Sequence, residues 1–337
     1  MTIEASAPAF RTIPDRLHGR WRALAGSWEA LLLGVAATIF VADALASPYF
    51  LDLTNLSDAT FTFTEKAIVA LAMAFVIVAG EIDLSVGGTI ALASTAMGAA
   101  AQTGAGTAEL VGVGLAVGAA CGLFNGFLVA RVGLPSIVAT IGTMSLYRGI
   151  SYLVLGDTVY NGYPDSFGFF GQGYVWGVLS FEFASFGLLA VLAGIVLHRT
   201  TFGRAVRAIG NNPFAARFSG LRVERIRGVA FLLTGLAAGL AAVMLTARLG
   251  STRPSIALGW ELDIVTIVVL GGVNIQGGAG TIPGVVIAAL VMGLVTTGLG
   301  LLNVPGIIMS IVVGAMLIAV ITLPILARRL LHRRKPA

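Results

Sequence analysis

Four groups of residues in this chain have the types and spacing that chemistry requires. Glu81 and Asp83 stand two apart beside an apolar run, and Glu261 and Asp263 repeat that arrangement further on. Carboxylates held within a membrane often couple a proton or cation to transport. Asp83-Leu84-Ser85 also reads as a capped helix start, in which a carboxylate accepts the free N–H groups of the following helix. Capping is the role assigned to Asp83, while Glu81 and the Glu261/Asp263 pair keep both readings. The third group, Gly272-Val273-Asn274-Ile275-Gln276-Gly277-Gly278-Ala279, imitates the opening of a phosphate-binding loop. A working loop needs Lys and then Ser or Thr after its second glycine, and Gly278 and Ala279 occupy those places, so ATP is not bound this way. Nor does Gly278-Ala279-Gly280 continue into a dinucleotide fingerprint, because Pro283 stands where the last glycine belongs. A tight turn between a re-entrant segment and the next span is the better reading.

The fourth group is the polar segment from Gly203 to Leu221, with Arg204, Arg207, Gly210, Asn211 and Arg217 around a short helix. Asn212 suits an N-cap, Pro213 the first helical position and Gly220 the stop. Ala215 and Ala216 leave a low surface that a groove on another protein could receive, with Phe214 and Phe218 one turn apart as anchors. An amphipathic helix resting on lipid headgroups fits the same residues. Enzyme chemistry lacks support: Cys121 is the sole cysteine, and His18, His198 and His332 sit among basic residues at span edges. There is no metal-ligand spacing, no nucleophile with its base, and no cofactor to expect.

The elements that carry these groups are membrane spans. The 337 residues are 57% hydrophobic and 11% charged, with a mean hydropathy of +0.94. A soluble domain carries about a quarter charged residues. The net charge of +5 could suit nucleic acid, but the basic residues cluster where helices end, as retention on the cytoplasmic side requires, so no nucleic-acid partner is expected. Candidate spans are Trp28–Ala46, Ala67–Gly80, Val86–Ala101, Leu110–Ala130, Leu134–Leu155, Tyr174–Leu197, Gly228–Ala247, Ile264–Gly272, Thr281–Leu301 and Pro305–Leu323, about ten in all. Ala67–Gly80 gains Phe61 and Phe63 at its outer end, and Ile264–Gly272 begins near Trp260. Short, Gly-interrupted segments such as these mark broken helices lining a cavity. Ala44-Leu45-Ala46 resembles a signal-peptide cleavage site, yet the polar tail before it is long and carries Glu4 and Asp15, so the first span is read as retained.

The organisation is thus a tail (residues 1–27), a membrane domain (28–323) containing the segment 203–221, and a basic tail (324–337). Arg11, Arg16, Arg20 and Arg22 at one end and Arg328, Arg329, Arg333, Arg334 and Lys335 at the other place both termini in the cytoplasm. An even number of spans follows. The Arg199–Arg227 stretch and Arg131 then fall inside, while the loops Ser47–Thr64 and Gly156–Gly173 fall outside. Arg248 and Arg253 are exceptions on the outer side. Gly114–Gly142 and Gly284–Gly314 share one plan, a Gly-punctuated helix, a break, a Pro and a second helix, with Gly122 matching Gly293 and Pro135 matching Pro305. Five spans separate the two units, which makes them an inverted repeat of the transporter kind. Gly114, Gly118, Gly122 and Gly126 form one ridge, with Gly235 and Gly239 a shorter one, for close packing within a subunit or at a dimer seam.

Ile82-Asp83-Leu84-Ser85-Val86-Gly87, Asn125-Gly126 before Pro135, Ala208–Leu221 and the Gly271–Gly284 cluster, in this order, resemble permeases of ATP-binding cassette importers for ribose-type monosaccharides. The resemblance covers nearly everything past Trp28. It implies two permease copies or similar subunits, a separate cytoplasmic ATPase, a periplasmic sugar-binding protein, and a coupling helix within Ala208–Leu221 that docks on the ATPase. Where that family has Gly-Gly-Ile-Asp, this chain has Gly80-Glu81-Ile82-Asp83, similar to the branch associated with rhamnose and with furanosyl autoinducer uptake. The reading is an all-α permease in the inner membrane, moving a neutral polyol by alternating access along a path with few charges. Asn125, Thr140, Ser145, Asn274 and Asn303 are its candidate path residues on polarity. The alternative is a cation-coupled secondary transporter, for which Asp43 and Glu182 are the acids well inside spans.

Overall fold

The computed structural model of the protein describes residues 27–156 and 158–332. The N-terminal tail, Asp157 and residues 333–337 lie outside them, so the basic tails are described only in part. Helices α1 (Trp28–Ala46), α2 (Leu53–Phe61), α3 (Thr64–Val78), α4 (Val86–Gln102), α5 (Thr107–Phe127) and α6 (Ser136–Leu155) form the first half. An antiparallel hairpin of β1 (Tyr174–Val175) and β2 (Leu179–Ser180) follows. Then come α7 (Phe181–Arg199), α8 (Thr201–Asn211), α9 (Pro213–Phe218), α10 (Val223–Leu249), α11 (Trp260–Leu270), α12 (Ile282–Leu301) and α13 (Gly306–His332).

Each candidate span corresponds to a helix, but they are of two kinds. Six are long and apolar enough to cross a membrane: α1, α5 with its continuation to Val132, α6, α7, α10 and α12. α2 and α3 pass the same test together, bent by 50°. Phe61 therefore ends a separate helix and does not extend α3 in line. α4 and α11 are shorter, 17 and 11 residues, and each follows a non-helical stretch, as the Gly-interrupted patterns suggested. α11 starts at Trp260 as expected. Tyr174, read as a span start, sits instead in the hairpin, because Ser180 caps α7 by accepting the Phe183 N–H at 3.2 Å.

The core is built around α3, which is buried almost all round from Ala67 to Ala79, as a helix apolar on every side should be. Large apolar side chains remain exposed on α1 (Leu31, Leu45), α6 (Val138, Leu153), α7 (Leu188, Val191) and α13 (Ile307, Ile311), a surface suited to lipid. The glycine ridge packs α5 on α10 inside one subunit. A Cβ on Gly118 would stand 2.7 Å from Gly239 Cα, and one on Gly235 would stand 2.7 Å from Gly122 Cα. Backbones this close leave no room for a side chain, which settles the seam within the protomer.

The two breaks of the repeat also correspond. Gly133, with φ +84°, and Asn303, with φ +55°, each stand two residues before the matching Pro135 and Pro305. A residue with positive φ thus follows each first helix, and Pro then starts the second.

Loops sort to two ends. At one, Tyr160 bridges Thr252, Gln172 Nε2 donates to Arg248 O at 2.9 Å, and Tyr174 bonds Asp58. Arg248, one of the two basic residues on the side read as outer, is neutralised there by buried Glu65, with Nε 2.7 Å from Oε1. At the other end lie the turn after α3, the α8–α9 segment and the loop before α12.

Candidate functional site

The segment from α8 to α9 folds as its residues prescribe. Asn212 Oδ1 accepts the Ala215 N–H at 3.0 Å, Pro213 takes the first helical position, and Gly220 carries φ +84° after the helix. α8 buries Ala205, Val206 and Ile209 toward the membrane domain and leaves Arg204 exposed. One expectation changes. Ala216 does not belong to a low outer surface: it is buried against Ile209 and Val223, and so seats α9 on its own subunit. Ala215 remains exposed, flanked by Phe214 at 74% and Phe218 at 93% exposure. Two bare phenyl rings at the tip of a polar loop form an exposed apolar knob of the kind that meets a protein partner or a lipid surface. Arg217, also exposed, pairs with Glu224, and a pair so open to solvent contributes little stability.

Behind this knob, three glycine motifs that are far apart in sequence meet at one point. Gly80 ends the turn after α3, Gly210 lies in the last turn of α8, and Gly277 and Gly278 come from the loop before α12. A Cβ on Gly277 would stand 2.9 Å from Gly80 Cα and 3.0 Å from Gly210 Cα, and one on Gly210 would collide with Val78 O. Gly278 N donates to Val78 O at 2.8 Å, and Asn211 Oδ1 lies where a Gly278 side chain would be. Arg207 extends the join, donating from Nη2 to Gly280 O at 3.2 Å. The phosphate-loop lookalike is thus a tight turn clasping the base of the α8–α9 segment. Asn274 shapes that turn: its Oδ1 accepts from Gln276 N at 3.1 Å and its backbone O from Gly277 N at 2.8 Å.

The stretch after Gly80 runs unwound into the protein, and its polar groups are met by side chains, as backbone at membrane depth requires. Ser136 Oγ accepts from Ile82 N at 3.2 Å, and Thr140 Oγ1 donates to Ser136 O at 2.8 Å and reaches Ile82 O at 3.4 Å. Asp83 is buried, and its Oδ1 accepts the Ser85 N–H at 2.9 Å and the Ser85 hydroxyl at 2.7 Å; it closes a turn ahead of α4 and does not meet the free N–H groups of the helix itself, whose start has no side-chain cap, so the capping role read from sequence does not hold. Asn125 Nδ2 donates to Ser85 Oγ at 2.7 Å, and the Tyr147 hydroxyl caps the group by reaching Cys121 O at 3.2 Å. Glu81 lies 3.0 Å from Arg227 Nη1.

The candidate path residues therefore fall in different places. Asn125 and Thr140 are fully buried around the unwound stretch. Ser145 is exposed on α6, Asn274 shapes the junction loop, and Asn303 makes the α12–α13 turn. An apolar cavity of about 340 Å³, lined by Leu71, Phe75, Leu189 and Leu240 among others, has no polar group to hold a hydrophilic solute. The sequence reading missed Arg148, a charge in the middle of a span, and Glu65, just outside another. Both were visible as charges in apolar runs.

A family model described as the permease component of branched-chain amino acid transport systems matches residues 55–321. The chain belongs to this permease family. Curated relatives agree along nearly the whole length. The autoinducer 2 import system permease protein of Klebsiella pneumoniae is 35% identical over 301 residues, covering 88% of this chain and 90% of the relative. The L-arabinose ABC transporter permease protein of Azospirillum brasilense is 33% identical over 310 residues, 90% and 91%. The ribose import permease protein of Bacillus subtilis is 33% identical over 293 residues, 86% and 90%. No solved structure matches the chain. The permease is thus a multi-pass, all-helical transport subunit that carries out no catalysis of its own.

Proposed function

We propose that this permease imports a monosaccharide or a furanosyl signal of similar size, rhamnose-like or ribose-like, across the bacterial inner membrane. The observation that carries the reading is the junction of Gly80, Gly210 and Gly277. It ties an exposed knob to the unwound stretch after Gly80, so force applied at α9 reaches α3 and α4 through backbone contacts. A separate cytoplasmic ATPase receives Phe214, Ala215 and Phe218, with Arg207, Gly210, Asn211, Asn212, Pro213, Ala216, Arg217 and Gly220 shaping and seating that surface. The knob and both termini face the cytoplasm, where the Arg199–Arg227 charges belong. A periplasmic sugar-binding protein delivers substrate at the opposite end. Two permease copies, or two similar subunits, enclose the path, which Ser145 lines and which Asn125 and Thr140 shape from behind.

The names of the relatives support an aldose or autoinducer 2 as cargo. The test is uptake by a strain lacking this permease, with and without the gene restored, from a panel of D-ribose, L-arabinose, L-rhamnose and autoinducer 2. Restoration of uptake for one member is expected. A cation-coupled mechanism has buried acid oxygens in its favour: Asp43 Oδ2 and both carboxylate oxygens of buried Glu182 have no partner among the described residues. Glu182 lies in the first turn of α7, at the end of the span remote from the unwound stretch.

A further inference from the structure

Helices α7 and α10 both pack on α3, and between them lies the apolar cavity of about 340 Å³, with Leu189 and Val196 on one wall, Leu233 and Leu240 on the other and Phe75 on the floor. The two walls run side by side for about 10 Å along their helices. Leu192 also lines the cavity and is 48% exposed, so the space opens sideways on the apolar face of α7. A hydrocarbon chain entering there gains dispersion contacts from both walls. One end is closed: Phe202, in the first turn of α8, packs on Phe75 with ring centroids 6.1 Å apart. That end is also where charge gathers. Arg199 follows Val196 by one helical step on the same face of α7, and Arg225 stands two four-residue steps before Leu233 on the same ridge of α10. Both are exposed, as is Arg204 on α8. None of these arginines has an ion-pair partner among the described residues, and the nearby acids Glu81 and Glu224 are held by Arg227 and Arg217.

We propose that this groove is a site for an anionic phospholipid of the cytoplasmic leaflet, with one acyl chain lying between α7 and α10 and its phosphate held by Arg199, Arg204 and Arg225. The inference goes beyond the import reading and holds whichever solute is carried. Charge selects the lipid. Apolar walls take any chain, since hydrocarbon is as apolar as they are, whereas basic residues at the cytoplasmic surface attract an anionic headgroup and gain little from a zwitterionic one. The closed end selects a lipid over a protein. A spanning helix in this groove would have to continue through Phe202 and α8 to leave the membrane, while a lipid ends at the level of its headgroup. The bound chain would also keep α7 and α10 apart directly above α8, the helix whose last turn carries Gly210 into the glycine junction.

The test is made with the full-length permease purified in mild detergent, stripped of lipid and titrated with phosphatidylglycerol, phosphatidylcholine or sodium phosphate. Native mass spectrometry counts the bound lipid, and the midpoint of thermal unfolding is followed in parallel. Phosphatidylglycerol is expected to be retained and to raise the midpoint, and phosphatidylcholine to do neither at the same concentration. Arg199→Gln combined with Arg225→Gln changes exposed side chains only and should weaken phosphatidylglycerol binding more than tenfold, at about fivefold for each arginine. Ala193→Phe sets a ring into the groove and should lower phosphatidylglycerol occupancy with every arginine in place. Equal binding of the two lipids, or phosphatidylglycerol binding unchanged by the loss of both arginines, would overturn the proposal. Protection by phosphate alone as strong as that by phosphatidylglycerol would overturn it too, because the ligand would then be a free anion. So would an Ala193→Phe protein that changes the number of permease copies in the particle while its lipid binding stays the same, since a second copy would then occupy the groove.

Discussion

The Glu81 carboxylate stands 3.0 Å from Arg227 Nη1, and this pair joins the unwound stretch after α3 to the start of α10. Glu81 occupies the position at which this chain departs from the Gly-Gly-Ile-Asp of the family it resembles. The structure gives that departure a local purpose, a tie between two elements that the glycine junction already holds together.

Removing either partner leaves a half-buried charge uncompensated, at a cost of about 1–3 kcal/mol. Glu81→Ala and Arg227→Ala are each expected to lower the midpoint of thermal unfolding of the detergent-purified permease. The double variant should lose clearly less than the two single losses combined, because the two share one interaction. Fully additive losses would mean that the two side chains do not work as a pair.

The junction makes Gly210 the least replaceable residue of α8. A methyl group there would meet Val78 O and Gly278 N, which are backbone atoms fixed by their own hydrogen bond. Overpacking of this kind costs about 1–3 kcal/mol. Gly210→Ala should insert normally, because it lies outside the apolar spans, and should lose most of its uptake. Gly194→Ala tests the specificity of that effect: Gly194 also lies within a helix but has open space around it, so its variant should retain transport.

The ridge between α5 and α10 predicts a different defect. Gly122→Leu would push against Phe231 O and Gly235 Cα and should lower the yield of folded protein before any change in the choice of substrate. Fluorescence-detected size exclusion of crude membranes measures this. A monodisperse peak at normal yield would contradict the close packing.

How far the sequence disclosed this arrangement depended on what each signal measured. Span positions were legible because lipid demands long apolar runs, and the short helix α9 because Asn212, Pro213 and Gly220 are local stop and start signals that tertiary contacts rarely override. The convergence of Gly80, Gly210 and Gly277 was not legible, since a glycine's spacing along the chain says nothing of which backbone approaches it. Ala216 was placed outward because a six-residue helix carries too little periodicity to show its buried side; Ile209 and Val223, from neighbouring elements, decide it. Asn125 and Thr140 were selected for polarity alone, and polarity does not separate a residue that lines a path from one that satisfies unwound backbone behind it.

That difference in burial divides α9 into two kinds of position. Phe218→Glu alters a side chain that is almost wholly exposed, so the permease should reach the membrane at its usual level and fail to co-purify with its ATPase. Ala216→Glu places a charge between Ile209 and Val223 and should destabilise the segment itself, seen as faster proteolysis within the 203–221 stretch. Normal recovery of the ATPase with Phe218→Glu would indicate that the exposed rings rest on lipid instead.

The central claim is that this subunit has no energy source of its own and is driven through the α9 knob by ATP hydrolysed elsewhere. Its most direct test is uptake of the transported solute into cells whose proton gradient has been collapsed by an uncoupler while ATP is maintained by fermentation. The account predicts that uptake continues at close to its original rate and stops when ATP is depleted. Uptake that falls with the gradient while ATP remains high would contradict it.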